Sequence, residues 1–419
     1  MPGTQLLSLV LLVIVFGLAI AKRLNIGILA LAATLPLALA DDVKPKQVFT
    51  FFDGSLVVLI AGVSLLFAHL KESGALSWLI TKVFDLVGDR TFILPWVVFL
   101  LGAALSTAGA FSTAPIALLV PMVAAVSARS PRMFFINELA VIIGANMAGP
   151  SPLNPVGALI SSIANDNHIS YSKWGLWVIS MATAIVTVAL LQVILTGTSW
   201  GRRKTNFTPL GSESAETTPT TLATPIYAAA SGVALVAFVL LVVLLGWDVG
   251  LTAMALVVIL QLIFNPEEKS LLKQVPWNSI ILLTGLLTYL GVMKKIGTMD
   301  TIQHGMLSIG SAALLLAALA YLTALLCNIE SSTLGVIGLI LPIAMTSFPG
   351  TTHMTTILAA IVAPAALMVV NPVHVAGTLV VAQAEETQQA TVFRGLLVLA
   401  ITLAIIAPAV LLILPVAMM

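Results

Sequence analysis

The residues "GANMAGPSPLNPVGALI" (144–160) interrupt an apolar run with Asn146, Ser151, Asn154 and three prolines. A second break, "NPVHVAGTLV" (371–380), repeats the Asn-Pro-Val triplet in the other half of the chain. Proline removes a backbone N–H and disfavours helical geometry in the residue before it, so each triplet predicts a helix that stops and restarts.

The surroundings of these breaks fix the solvent. The 419 residues are 59% hydrophobic and 8% charged, with a mean hydropathy of +1.11. Soluble domains carry roughly 25% charged residues, so this chain has too little polar surface to cover itself in water. The apolar runs are the length of helices that cross a bilayer, about 20 residues. Alternating ten-residue barrel strands are absent. An all-α polytopic membrane protein follows. A net charge of +1 and the lack of basic, aromatic-interleaved clusters give no sign of a nucleic-acid partner. The first run has Lys22 and Arg23 after it rather than before it, the reverse of a signal peptide, and reads as the first membrane helix.

The predicted spans are 4–21, 25–40, 55–70, an interrupted 92–127, 134–165 broken near 149–155, and 173–197. A polar Ser/Thr/Pro-rich linker at 199–225 follows. The pattern then resumes at 226–246, 248–264, 279–293, an interrupted 307–346, a broken 354–384, and 395–417. Displacing the second half by 223 positions pairs Gly27 with Gly250, Gly62 with Gly285, Lys71 with Lys294 and Gly74 with Gly297. Asp53 and Asn278 correspond within two residues as helix N-caps, and the two Asn-Pro-Val triplets pair at a displacement of 217. Two repeats are therefore expected, 1–198 and 226–419. Each would hold about five transmembrane helices, a re-entrant hairpin and a broken helix. Five crossings are odd, so the second repeat would be inverted. Counting each hairpin as two full crossings gives twelve spans instead, which parity also allows, and the repeat and the polar hairpin tips favour the re-entrant reading. With the N-terminus outside, 13 of the 18 basic residues fall on cytoplasmic segments, the linker among them, as the positive-inside rule requires.

Four polar interruptions carry the chemistry: "STAGAFST" (106–113), "NMAGPSPLNPVG" (146–157), "CNIESST" (327–333) and "NPVHVAGT" (371–378). Broken backbone is tolerated at membrane depth only inside protein or beside a water-filled cavity. Ser, Thr and Asn supply neutral oxygens, and helix N-termini supply donors with about half a positive charge. Two hairpin tips facing two broken helices would bind a cation beside an anion, the logic of inverted-repeat transporters. Glu330 at the second tip is a candidate sodium ligand or proton carrier, and His374 can donate or titrate. His69, His168, His304 and His353 are read as interfacial residues near helix ends. Lys71, Lys82 and Lys294 are expected on connecting arms beside the hairpins.

The blocks "KRLNIGILALAA", "FFDGSLVVLIAGVSLLFAHLKESGALSWLI" and "GANMAGPSPLNPVG" resemble the MatC-type malonate/dicarboxylate carriers, of the superfamily that includes the divalent anion–sodium symporters. The resemblance implies an elevator transporter in a bacterial inner membrane, usually a homodimer. A transport domain from 92–165 and 307–384 would move against a scaffold of the remaining helices. By position, the hairpin tips of the symporters fall on Ser112 and Thr113 and on Ser331, Ser332 and Thr333. Both "FST" and "SST" lack the family's central asparagine. Asn146, Ser151, Asn154, Asn371 and Thr378 match the broken-helix part. The substrate set is then Ser112, Thr113, Ser151, Asn154, Ser331, Ser332, Thr333, Asn371, His374 and Thr378. The Na+ set is Ser112, Asn146, Asn154, Glu330, Ser332 and Asn371.

The expectation is a sodium-coupled symporter of a malonate-like dicarboxylate with no cofactor beyond the coupling ion. Proton coupling and anion antiport are the alternatives on the same fold. A channel would want a continuous polar stripe, and no HExxH, GxSxG or GxGD pattern supports an enzyme.

Overall fold

The structure is a computed structural model, and it describes residues 3–87, 92–127, 131–197, 224–307, 311–329, 333–348 and 351–419. Among these every regular element is helical. The first half gives α1 (Gly3–Lys22), α2 (Ile26–Ala40), α3 (Pro45–Val48), α4 (Gly54–Glu72), α5 (Ala75–Val87), α6 (Leu94–Thr107), α7 (Thr113–Ser127), α8 (Pro131–Met147), α9 (Pro155–Asp166) and α10 (Lys173–Gly197). The second gives α11 (Pro225–Leu245), α12 (Val249–Phe264), α13 (Glu268–Leu272), α14 (Trp277–Lys295), α15 (Thr298–Leu307), α16 (Ala312–Ile329), α17 (Thr333–Ser347), α18 (Met354–Leu367), α19 (Val375–Ala382) and α20 (Glu386–Met418). Among the described residues ten helices are followed by ten, with the breaks at corresponding places. Among the described residues, seven helical segments are long and apolar enough to cross a membrane. Most of the proposed linker, 198–223, lies outside the described residues.

Local sequence explains the shared plan. Asn25 caps α2 through a bond from the Gly27 N–H, and Asp248, 223 positions on, caps α12 through the Leu251 N–H. Gly74 and Gly297 follow α4 and α14 with φ of 78° and 77°, left-handed geometry that suits glycine. Packing repeats as well: α2 lies on α14 while α12 lies on α4, and α9 lies on α17 while α19 lies on α7. The paired glycines sit at the first two crossings. A Cβ on Gly27 would overlap the Ile281 carbonyl, and one on Gly285 would overlap the Gly27 carbonyl. At the related crossing a Cβ on Gly62 would come within 2.9 Å of the Gly250 oxygen. Small residues let helix backbones approach where lipid gives no hydrophobic drive to associate.

The structure corrects the repeat register at the breaks. The first break ends at Asn154 before α9, and the second ends at His374 before α19. Ser151 therefore matches Asn371 and Asn154 matches His374, a displacement of 220 rather than 217. The two triplets are three residues out of step because a shared run of letters was aligned in place of the turn. The cap assigned to Asn278 also moves: Pro276 precedes α14, and the Asn278 carbonyl accepts from Asn25 Nδ2 at 2.8 Å. The amphipathic helices α5 and α15 fall between predicted spans. Lys82 on α5 is largely exposed and pairs with Asp85 at 3.9 Å, so it is a surface residue. His69 is fully buried rather than interfacial, with Nδ1 2.7 Å from the Tyr227 hydroxyl.

Two groups of helices result. α1, α2, α4 and α5 pack with α11, α12, α14 and α15, whereas α6–α10 pack with α16–α20 around α8 and α18. Between the groups lie two cavities, of about 580 and 460 Å3. Their framework walls correspond at the displacement of 223: Leu287, Leu290, Gly291, Lys294 and Met299 in one, Ser64, Phe67, Ala68, Lys71 and Leu76 in the other. The larger holds the start of α4 and the end of α14; the smaller holds the end of α4 and Pro276 at the start of α14. The two repeat-related helices thus run antiparallel, and the cavities lie at opposite ends of a helix about 28 Å long.

Substituting valine at Gly285 should destabilise the α2–α14 crossing by about 1–3 kcal/mol, the usual cost of overpacking. The lowered melting temperature in detergent should be absent in Gly232→Val, where a Cβ meets nothing within 4 Å.

Candidate substrate and ion site at the helix breaks

Each break rests against the hairpin of its own repeat. Asn154 is fully buried, and all of its polar atoms are engaged. Its Oδ1 accepts from the Val156 N–H at 3.0 Å, while Nδ2 donates to the carbonyls of Ser106 (2.9 Å) and Ala110 (2.8 Å). Ser151 Oγ donates to the Thr107 carbonyl at 2.8 Å and takes the Leu153 N–H at 3.3 Å. Ser112 is buried with its Oγ 3.4 Å from that of Ser106. Trp177 Nε1 on α10 donates to Thr107 Oγ1 at 3.1 Å. The hairpin tip and the break are therefore one stitched unit. Asn154 turns toward the hairpin, not toward an open cavity, because the tip carbonyls there need a donor.

The second repeat reproduces the plan with different side chains. Asn371 Nδ2 donates to the Asn328 carbonyl (3.0 Å) and Oδ1 (2.8 Å), and its Oδ1 accepts from the Val373 N–H at 2.9 Å. Asn328 donates in turn to the Ala324 carbonyl at 3.0 Å. His374 stands where Asn154 stands, but it places no side-chain cap on α19. Its Nε2 lies 3.5 Å from Thr333 Oγ1, and its buried Nδ1 has no partner among the described residues. The start of α19 thus keeps its N–H groups free of a side-chain cap, where the start of α9 is closed by Asn154. Thr378 is exposed and bonds back to the carbonyls of Pro372 and His374, both at 3.0 Å.

Asn146 joins the two halves, donating to the Ala366 carbonyl of α18 at 2.6 Å. Thr113 and Val375, with Ala110 and Phe111, line the 460 Å3 cavity beside Lys71 and Lys273. The structure thus gathers Ser112, Thr113, Ser151 and Asn154 at one break and Thr333, Asn371 and His374 at the other. Glu330, Ser331 and Ser332 lie outside the described residues. No group of three His, Cys, Asp or Glu side chains capable of holding a metal occurs among the described residues.

Ser106, Thr107 and Asn328 act at the tips without having been singled out, although all three stand inside the quoted polar interruptions. Glu138 was also missed. It lies within α8, fully buried, with neither carboxylate oxygen partnered among the described residues. An ionised carboxylate at bilayer depth costs about 2.5–3.5 kcal/mol on insertion scales, the same rule that drew attention to Glu330.

Comparison with known proteins now has a geometry to meet. Residues 1–149 match the family model of the dicarboxylate carrier protein MatC N-terminus. The match spans the framework helices α1–α5, the first hairpin and α8. No curated protein sequence matches the chain. Among solved structures, the Alcanivorax borkumensis YdaH transporter, described as having an unusual topology, is similar with a TM-score of 0.61. The likeness covers 87% of this chain and 86% of that one at 14% identity, which shows the fold alone. The first 149 residues thus resemble dicarboxylate carriers, and the chain as a whole has the fold of a solved transporter, with helices long and apolar enough for a multi-pass membrane protein.

Replacing Asn154 by alanine would remove one donor from each of two buried tip carbonyls, which keep the Gly109 N–H (3.1 Å) and the Ser106 hydroxyl (3.3 Å), and would uncap α9, a cost of about 1–3 kcal/mol. Thermal unfolding in detergent should show a clear loss for Asn154→Ala and little change for His374→Ala, whose side chain holds little of the fold.

Proposed function

We propose that the carrier moves a small, malonate-like dicarboxylate by sodium-coupled symport. The reading rests chiefly on one contrast: the start of α9 is capped by Asn154, while the start of α19 is uncapped beside His374 and Thr333. A helix N-terminus without a cap offers N–H donors and partial positive charge to an anion. His374 and Thr333 add side-chain donors, and Val375 opens this end to the cavity lined by Lys71 and Lys273. Two cations beside the route favour a doubly charged substrate over a neutral one. Sodium belongs with the neutral oxygens at the first tip, those of Ser106, Ala110 and Ser112, as broken backbone serves in other carriers. Glu330 and Ser332 are assigned to the second tip from their place in the chain.

Movement in this reading is an elevator displacement. α6–α10 and α16–α20 form the moving body, because α10 and α20 pack on α8 and α18. The two repeats are inverted, consistent with the antiparallel α4 and α14. The cavities are unequal in their bonding. Lys294 Nζ bonds the Asp166 carbonyl (2.6 Å) and Asn167 Oδ1 (3.2 Å), and Asp53 accepts from the Ser162 hydroxyl at 2.5 Å. These bonds tie the framework to the far end of α9. Lys71, the repeat partner of Lys294, faces the first hairpin tip and the first turn of α19 instead. Sliding the body so that the halves exchange roles would bring Lys71 to the end of α19, near Gln383. A homodimer in a bacterial inner membrane completes the proposal.

Malonate uptake into proteoliposomes should require an inward sodium gradient. Substituting His374 by alanine should weaken malonate binding about ten- to a hundred-fold, the worth of a charge-assisted hydrogen bond. Uptake that is indifferent to sodium, or absent for every dicarboxylate tried, would defeat the assignment.

The displacement has its own test in a Cys327→Ser background. A cysteine pair at 167 and 294 should cross-link in the state described here. A pair at 71 and 383 should cross-link increasingly when malonate and sodium are added together. A fixed ratio of the two under all conditions would rule out the exchange.

A further inference from the structure

We propose that Glu138 is a proton-binding site of the moving body, protonated in this state and exchanging its proton with water as the body changes position. This rests on the reading of the protein as a dicarboxylate carrier, and it adds a proton to the movement of substrate.

The carboxyl group sits in α8 with none of its surface exposed. Neither oxygen accepts a hydrogen bond among the described residues, and the adjacent Asn137 Oδ1 and the Ser180 Oγ of α10 are likewise unpartnered. No charge balances it from the elements packed on α8. α6, α7, α18, α19 and the turn 368–370 contain no charged or titratable residue, and His374 precedes α19. α10 contributes only Lys173, at its first residue. α20 touches α8 where Gly395 meets the Phe135 ring, and its charged residues Glu386 and Arg394 are both exposed. On α8 itself the one other charged residue is Arg132, six residues earlier at the start of the helix. With no donor and no facing cation among the described residues, the group is the neutral acid.

A neutral acid in this position bonds nothing and caps nothing. What a carboxyl has that an amide of the same shape lacks is a proton that can leave. Release passes the proton from the carboxyl oxygen to water, giving a carboxylate and a hydronium ion. Glu138 lies seven residues from the start of α8, about 10 Å along the helix, and eight residues before Asn146. It therefore stands between the near end of the helix and the breaks, where displacement of the body changes its access to water.

The test uses the full chain in proteoliposomes with a pH-sensitive dye in the lumen and malonate outside. Wild-type protein should acidify the lumen as malonate enters. Glu138→Gln, which keeps the shape of the neutral acid, should take up malonate under a sodium gradient without that acidification. Equal acidification by both proteins would overturn the proposal. Infrared difference spectra of the detergent-solubilised proteins give a reading independent of transport. The carbonyl stretch of a protonated carboxylic acid should be present in wild type, fade as pH rises, and be missing from Glu138→Gln. A wild-type spectrum without that band, or with a band that never titrates while the protein stays folded, would also overturn it. If malonate enters with neither protein, the carrier reading fails, and the infrared comparison still decides the proton site.

Discussion

Two backbone-to-backbone crossings, Gly27 with Gly285 and Gly250 with Gly62, govern the arrangement of the whole molecule. Lipid tails are as apolar as leucine, so burial alone cannot hold membrane helices together, and close packing must. At each crossing a helix of one repeat meets the counterpart of another helix of that repeat: α2 meets α14, the counterpart of α4, and α12 meets α4, the counterpart of α14. This exchange ties the halves into a framework that neither could form alone. It also sets α4 and α14 antiparallel, and that places the repeat-related cavities at opposite ends of α4.

Given that framework, the breaks become usable. A broken helix in a bilayer leaves backbone groups that something must satisfy. In the first repeat the answer is local: Asn154 and Ser151 bind the carbonyls of the adjoining hairpin tip, and Asn154 also caps α9. The second repeat uses Asn371 and Asn328 for the stitching and leaves the start of α19 without a side-chain cap. Pseudo-symmetry thus supplies two similar frames, while the substitution of His374 for Asn154 makes one closed and one receptive. In the proposed reading a small anion would use the receptive helix end, and a cation the oxygens at the other.

The polar groups that the frame does not use stand out by contrast. Most buried side-chain donors and acceptors at the breaks are bonded within the protein. Glu138 and the Nδ1 of His374 are not. His374 sits beside the proposed anion site and Glu138 deep in the body proposed to move. The framework holds unpartnered buried atoms as well, His69 Nε2 and Ser231 Oγ, beside bonded ones such as Tyr289, which donates to the Ser8 carbonyl at 2.6 Å, and Ser8, bonded to Thr298 at 2.9 Å.

Composition and span length determined the class of solvent and the all-helical fold, because so few charges leave no other way to satisfy the backbone in lipid. Glycine spacing revealed the repeat, since close approach demands the same small residue at both related crossings. The prolines located the breaks, and the polar runs beside them located the tips. What the letters could not decide was which residue answers to which across the repeat. The triplets align as text at 217, but the turns align at 220, and only the turn geometry places His374 opposite Asn154. Nor could they decide where a side chain spends its hydrogen bonds. Asn154 and Asn371 carry the same chemistry on paper. Their partners are carbonyls more than forty residues away, brought near by the hairpin folding back on the break, and tertiary contact alone assigns them.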